Sequence, residues 1–377
     1  MASPRPQPPA GPGIPRVVVL LIGFAAAWIV VGGLRSLGGI VGPTFLALVL
    51  TIGTQPVRAA LTRRGLPGWV GVLLALGIVY VGLIGFTVAL TVALARFATL
   101  LPTYQPEMER LLASAVDWLS RQGVGEAQIE GMLAGFDLNR LVSLAGSLVS
   151  GLVGVLSGLF LVVTLVLFMV IDASGFSSRL RHLPAAHEHW VAAMTSFGVA
   201  TRRYIVVSTV FGLIVAVLDT VALAWLGVPV ALLWGLLSFV TNYIPNIGFV
   251  LGVVPPALIG LLEGGPSLMI WVLVVYSVLN VAVQTVIQPK VVGDAVGLST
   301  TITMLSLVFW AFTLGSMGAL LAVPLTLFAK AVLVDADPRT HWVRPLITGG
   351  AAMPATGGRK ARRARTGPAA APPAGER

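Results

Sequence analysis

The sequence predicts an all-α, polytopic transmembrane protein, and three observations carry that prediction. The 377 residues are 56% hydrophobic and only 10% charged, whereas a soluble domain carries about 25% charged residues. The mean hydropathy is +0.94. Apolar runs of membrane-crossing length, about 20 residues each, recur at 17–34, 37–54, 69–95, 150–171, 205–227, 231–262, 267–287 and 301–333. The layout is therefore about eight spans. The sixth and eighth runs exceed one crossing and must be tilted, broken or folded back as hairpins.

In chain order, residues 1–16 come first; they are Pro-rich and predict a disordered cytoplasmic arm. The next run, 17–34, is too long for a signal-peptide core and lacks an Ala-x-Ala cleavage site, so it opens a block of three transmembrane helices over 17–95. Residues 96–149 form the one sizeable extracytoplasmic segment. Its stretch PEMERLLASAVDWLSR starts with Pro106 and early acids and then repeats apolar residues at helical spacing, which predicts an amphipathic helix. A second short helix is predicted at 126–134. A span at 150–171, a cytoplasmic loop or helix at 172–204, a membrane core at 205–334 and a basic disordered cytoplasmic tail at 335–377 complete the chain.

Eight crossings put both termini on one side. With that side as cytoplasm, it holds 18 Lys and Arg against 6 outside, the bias expected of cytoplasmic loops. Six basic residues (Arg359, Lys360, Arg362, Arg363, Arg365 and Arg377) account for much of the net charge of +10. Beside a membrane they read as an anionic-lipid contact, and no nucleic acid is expected. Cysteine is absent, which excludes disulfides and thiolate chemistry. No Walker A pattern, His-Glu-x-x-His or Gly-x-Ser-x-Gly occurs, so neither ATP hydrolysis nor an enzyme is expected. His187 and His189 flank Glu188 at a spacing that does not converge on a metal, and no cofactor is expected.

Polar residues inside apolar runs mark the candidate site. Asp219 lies about two-thirds along the fifth run; an acid there is expensive unless paired, protonated or wet. It either takes up a proton or cation during transport or makes a structural bond as a neutral acid. SFVTNYIPNIGFVLGVVPP, residues 238–256, sets Asn242, Tyr243, Pro245, Asn246 and Gly248 in a hydrocarbon context. Pro245 removes a donor and frees carbonyls, and broken backbone at membrane depth must be buried in protein or line a wet cavity. A solute or gating site and a structural kink both fit. Asn280, Gln284 and Gln288 recur four apart and line an interior, as a polar path or a helix contact. Gly146, Ser150, Gly154 and Ser157 make a small-residue face suited to intrachain packing or to a subunit interface.

On these residues the chain resembles the AI-2E family of prokaryotic membrane proteins, also called PerM-like or autoinducer-2 exporters. The likeness rests on Leu226-Gly227-Val228-Pro229, Asn242-Tyr243-Ile244-Pro245-Asn246-Ile247-Gly248, Pro255-Pro256, Gln288-Pro289-Lys290-Val291-Val292-Gly293, Gly297-Leu298 and the Gly315-to-Pro324 ending. It covers roughly residues 15–335. Two places depart from the common pattern: Asp172 lacks a basic residue before it, and Asn246 stands where an aromatic is frequent. The resemblance implies transport across a prokaryotic plasma membrane. Some members are described as exporters of autoinducer-2, a small polar furanone-like compound, and others resemble sodium/proton exchangers. The expectation is export of a small polar solute, with proton or sodium coupling. The alternatives are a sodium/proton antiporter and a passive channel-like or scaffolding oligomer. The resemblance also implies a homo-oligomer.

Overall fold

The computed structural model describes residues 15–123, 158–173, 187–245, 247–288 and 297–348, with single positions at 175, 179 and 184. The described residues are helical, with no strand among them. The predicted helix at 126–134 and the face of Gly146, Ser150, Gly154 and Ser157 lie outside them, as does Asn246.

The first runs form the predicted helices: α1 (Arg16–Ser36), α2 (Gly38–Gly53), α3 (Gln55–Arg63) and the long α4 (Gly68–Leu100). α5 (Gln105–Arg121) is the amphipathic helix, opened by Pro106 with Glu107 in the first turn and closed by Arg121. Acid at the start and base at the end both complement the helix dipole. α6 (Gly158–Ala173) packs Val162, Val166 and Val170 against Ala47 of α2 and Ala75, Leu76 and Val79 of α4. The outer faces of α1 and α4 stay apolar, with Phe24, Trp28, Ile78 and Val81 exposed, as a bilayer requires.

One predicted span boundary moves, and two long runs take one of their expected forms. The span predicted at 205–227 is the upper part of one helix, α7 (Glu188–Trp225), because no breaker interrupts 188–204. The run 231–262 is not one crossing. It comprises α8 (Ala231–Thr241), a non-helical stretch, and the first limb of α9 (Ile247–Asn280). A Cβ on Gly252 would lie 3.8 Å from Cα of Ser238, although 14 positions along a straight helix span about 21 Å. The chain has therefore reversed. It reverses again at Gly264 and Gly265 (φ 70°, ψ −167°), so that Gly260 packs on Met269 and Val272. The second limb then continues as a π-helical segment, Val281–Ile287.

The run 301–333 folds back in the same way. α10 (Thr300–Leu320), capped by Ser299, breaks at Gly315 (φ 66°, ψ −144°) and is followed by α11 (Ala322–Lys330). Trp310 Nε1 donates to Thr326 Oγ1 at 3.0 Å, closing this hairpin. The first residues of the predicted disordered tail are also ordered. Asp335, mostly buried, pairs with Lys330 at 2.6 Å and Arg344 at 2.8 Å, and a short helix, α12 (Arg344–Ile347), accepts from the Ser299 amide through Ile347 O.

Two further apolar cores hold this frame. One joins Phe45 and Val49 of α2 to Phe197 and Tyr204 of α7 and to Leu321, Leu325 and Leu327 near α11. The other joins Ala93 of α4, Leu223 of α7, Leu233 and Trp234 of α8 and Val253, Ala257, Val272 and Tyr276 of α9. The candidate site lies beside the second.

Candidate functional site

The turn after α7 sets the geometry. Gly227 (φ 77°) and Val230 (φ 54°) carry left-handed backbone, unusual for a β-branched residue. Trp234 Nε1 donates to Pro229 O at 3.0 Å and pins the turn. α8 then descends antiparallel to α7, and the two approach closely because Gly235 faces Ala216 O and Thr220 Oγ1, where a side chain would overlap both.

Three ties mark the descent. Ser238 Oγ donates to Asp219 Oδ2 at 2.6 Å. Asn242 Nδ2 donates to Ser208 O at 3.0 Å. Tyr204 Oη donates to Tyr243 O at 2.8 Å. The break at 242–245 is thus a reversal level with residues 204–208 of α7, near the start of the apolar run 205–227, and not a kink halfway through one span. Gly248 completes it, packed on the Thr241 carbonyl where no Cβ fits.

Inside the reversal is a cavity of about 120 Å³ walled by α8, both limbs of α9 and the π-helical segment. The predicted residues Asn242, Pro245, Gly248, Asn280 and Gln284 all contribute to its wall. Gln284 Nε2 lies 3.0 Å from Asn242 Oδ1 and 2.7 Å from Asn280 Oδ1, and Asn280 Nδ2 donates to Tyr276 O at 2.9 Å. The three amides form one chain of bonds linking the reversal to the second limb. Among the described residues, no charged side chain lines the cavity.

Other predicted residues fall elsewhere. Tyr243 turns its ring away, with its hydroxyl 2.7 Å from Thr209 Oγ1 and its ring edge-on to Phe239. Gln288 is half-buried beyond the cavity and is not part of its wall. Asp219 is fully buried one residue behind the wall, reaching it through Ser238. Ser238, Phe249 and Tyr276 line the cavity without having stood out in the sequence. Ser238 and Phe249 share the 238–256 stretch, and only their spacing from Asn242 hinted at them. Tyr276 sits in WVLVVYSVLN, four residues before Asn280, where the polar face could have been extended upward.

Glu263, at the Gly264–Gly265 turn, accepts from Tyr104 Oη at 2.7 Å. A larger cavity, about 460 Å³, separates the end of α4 from the start of α8, but its wall is mostly aliphatic, with Arg96 and Thr99 as its polar members. It lacks the convergent amides of the smaller one. Among the described residues, no three His, Asp or Glu side chains gather at a metal-sized gap.

Known sequences show what the chain is related to. The profile described as AI-2E family transporter matches residues 17–336. The AI-2 transport protein TqsA of Escherichia coli (strain K12) is 29% identical over 316 residues, covering 84% of this chain and 91% of TqsA. A Haemophilus influenzae protein, assigned to transport only provisionally, is 30% identical over 326 residues, covering 85% of this chain and 93% of its own. YhhT of Escherichia coli (strain K12), with the same provisional assignment, is 27% identical over 311 residues, covering 82% of this chain and 89% of YhhT. A multi-pass helical fold with a polar reversal in its C-terminal half, matched to the family profile along nearly its whole length, places the chain in the AI-2E family of membrane transporters.

Proposed function

We propose that this protein exports a small, neutral, polar organic solute resembling autoinducer-2 across the prokaryotic inner membrane, as a homo-oligomer with both termini in the cytoplasm. The observation that carries the reading is the cavity at the Asn242 reversal. Its volume, about 120 Å³, is close to the roughly 150 Å³ that takes one benzene ring, so it suits a single five- or six-membered ring. Its amides offer donors and acceptors in register, and the described part of the wall carries no charge to pair with an ionic solute. Binding there requires Gln284 to exchange its bonds with Asn242 and Asn280 for bonds to solute. That exchange also frees the reversal from the second limb, so recognition and opening use the same atoms. Asp219, held by Ser238 at the cavity wall, is the group that couples transport to a proton or sodium gradient.

A sodium/proton antiporter is the second reading, favoured by one observation: Asp219 Oδ1 is buried without a partner and is a fitting ligand for a small cation.

The test is efflux of labelled autoinducer-2 from vesicles containing the purified protein. Wild type is expected to empty them faster than protein-free vesicles, and Gln284→Leu to slow efflux about tenfold, the loss of roughly 1.4 kcal/mol of hydrogen bonding. Efflux equal to protein-free vesicles, with sodium-dependent proton movement instead, would overturn export in favour of antiport.

A further inference from the structure

Two buried polar atoms beside the cavity have no hydrogen-bond partner: Asp219 Oδ1 and Tyr276 Oη. Both side chains are essentially closed to solvent, at 0% and 1% exposure. They are linked through Ser238, which holds Asp219 at 2.6 Å and lines the same small cavity as Tyr276. Asp219 shares the buried face of α7 with Val215, Ala216 and Leu223, and Ser238 of α8 meets its carboxylate. Among the described residues, the hydrogen-bond partner of the acid is Ser238, with no Lys, Arg or His bonded to it, and Tyr276 is the titratable side chain on the adjoining cavity wall. An unpaired polar group in such surroundings costs on the order of 1–3 kcal/mol. Two such atoms, one on a wall residue and one on the acid that Ser238 of the wall holds, are each open to a further hydrogen bond.

We propose that Tyr276 carries the protonation state of Asp219 into the cavity, so that a solute presenting a hydrogen-bond acceptor binds together with a proton. This rests on the solute-transport reading of the cavity. When Asp219 is ionised it only accepts: Ser238 Oγ–H serves Oδ2, and Tyr276 Oη–H turns to Oδ1. Both hydroxyl hydrogens then face the acid, and the wall presents lone pairs to the cavity. When a proton from solvent sits on Oδ1, the bond reverses. Oδ1–H donates to Tyr276 Oη, and the phenol hydrogen swings into the cavity to meet a carbonyl, ether or hydroxyl oxygen of the solute. Linkage makes the effect reciprocal, so the bound solute holds the proton as firmly as the proton favours the solute. Solute and proton share one loaded state and leave together, and export then runs down the solute's own gradient.

The experiment measures binding of labelled autoinducer-2 to the full-length protein in lipid nanodiscs, from mildly acidic to mildly alkaline pH, for wild type, Tyr276→Phe and Asp219→Asn. Wild-type affinity is expected to fall about tenfold as pH rises, within the usual range of coupling between two sites. Tyr276→Phe keeps the ring and the fold but has no hydroxyl to reorient, so its affinity is expected to be weak and flat with pH. A Tyr276→Phe variant with the wild-type pH dependence overturns the proposal. So does a wild type with tight, pH-independent binding. Thermal unfolding of the two single variants and the double variant at both pH extremes needs no solute: the shifts in midpoint are expected to be non-additive, by an amount that changes with pH. Additive shifts overturn the link even where autoinducer-2 does not bind, whereas absent binding with a pH-dependent cycle removes only autoinducer-2 as the solute.

Discussion

The molecule contains two long apolar runs that fold back, and they do so for different purposes. At Gly315 the chain turns through a backbone that only glycine adopts, Gly318 then packs on the Trp310 carbonyl, and Trp310 Nε1 closes the hairpin on Thr326. Leu314 and Leu321 fill the space beside it. At Asn242 the chain also turns and packs a glycine on a carbonyl, Gly248 on Thr241, but the neighbouring positions are amides, and a cavity of about 120 Å³ remains. Reversal itself is a way to pair half-length helices inside a bilayer, where every backbone group needs a partner. The polar filling is what turns one reversal into a site.

The sharpest way to separate the two is to overfill each. A methyl at Gly248 meets the Thr241 carbonyl, and one at Gly318 meets the Trp310 carbonyl. Gly248→Ala and Gly318→Ala are each expected to lose about 3 kcal/mol, the upper part of the usual overpacking cost, read by thermal unfolding. Efflux per folded molecule is expected to vanish in the first and to persist in the second. Equal loss of efflux in both would mean that the polar reversal has no special role.

Removing side-chain bonds is gentler. Asn242→Leu deprives Gln284 of an acceptor and is expected to cost about 2 kcal/mol, with efflux down about tenfold. Thr326→Val removes the acceptor of Trp310 and is expected to cost a similar amount, leaving efflux intact. Backbone strain can be compared more cleanly still. Gly265 and Gly315 have nothing within 4 Å of a would-be Cβ, so alanine at either tests conformation alone. Each is expected to lose 1–3 kcal/mol, roughly the cost of that region for a non-glycine residue. A much smaller loss at one would show that its turn relaxes freely.

Much of the fold is legible in the sequence, and the rest is hidden for a physical reason. Pro245 with its flanking amides marks a break, and LLEGGP and GSMGALLAVP mark two more, because Gly and Pro act locally. The direction of the chain beyond a break is not local. A helix has the same apolar periodicity whether it continues outward or turns back along its predecessor, so 231–262 reads as one long run. The level of Asn242 beside Ser208 depends on that reversal alone. Asn280 and Gln284 stand out because amides are rare in hydrocarbon. Tyr276 does not, since an aromatic on an apolar face usually serves as filling, and its role depends on an acid in another helix. Residues 188–204 read as a cytoplasmic loop or helix separate from the span, because their polar positions outweigh the hydropathy window, although nothing there interrupts α7.

The smallest expected effect lies at the opposite end of α9. Tyr104 Oη donates to Glu263 Oε2 at 2.7 Å, tying the chain just before α5 to the Gly264–Gly265 turn. Glu263 is exposed, so water replaces the phenol readily when it is removed. Tyr104→Phe is therefore expected to lower stability by about 1 kcal/mol or less and to leave autoinducer-2 efflux within about twofold of wild type. This turn has glycines and an acid but no amide-lined cavity, which makes it the control for the Asn242 reversal on the same helix. A tenfold fall in efflux, roughly 1.4 kcal/mol in the barrier, would invert the comparison. The outer turn would then be the moving part, and the amide chain around Gln284 would serve mainly to hold the other end of α9 still.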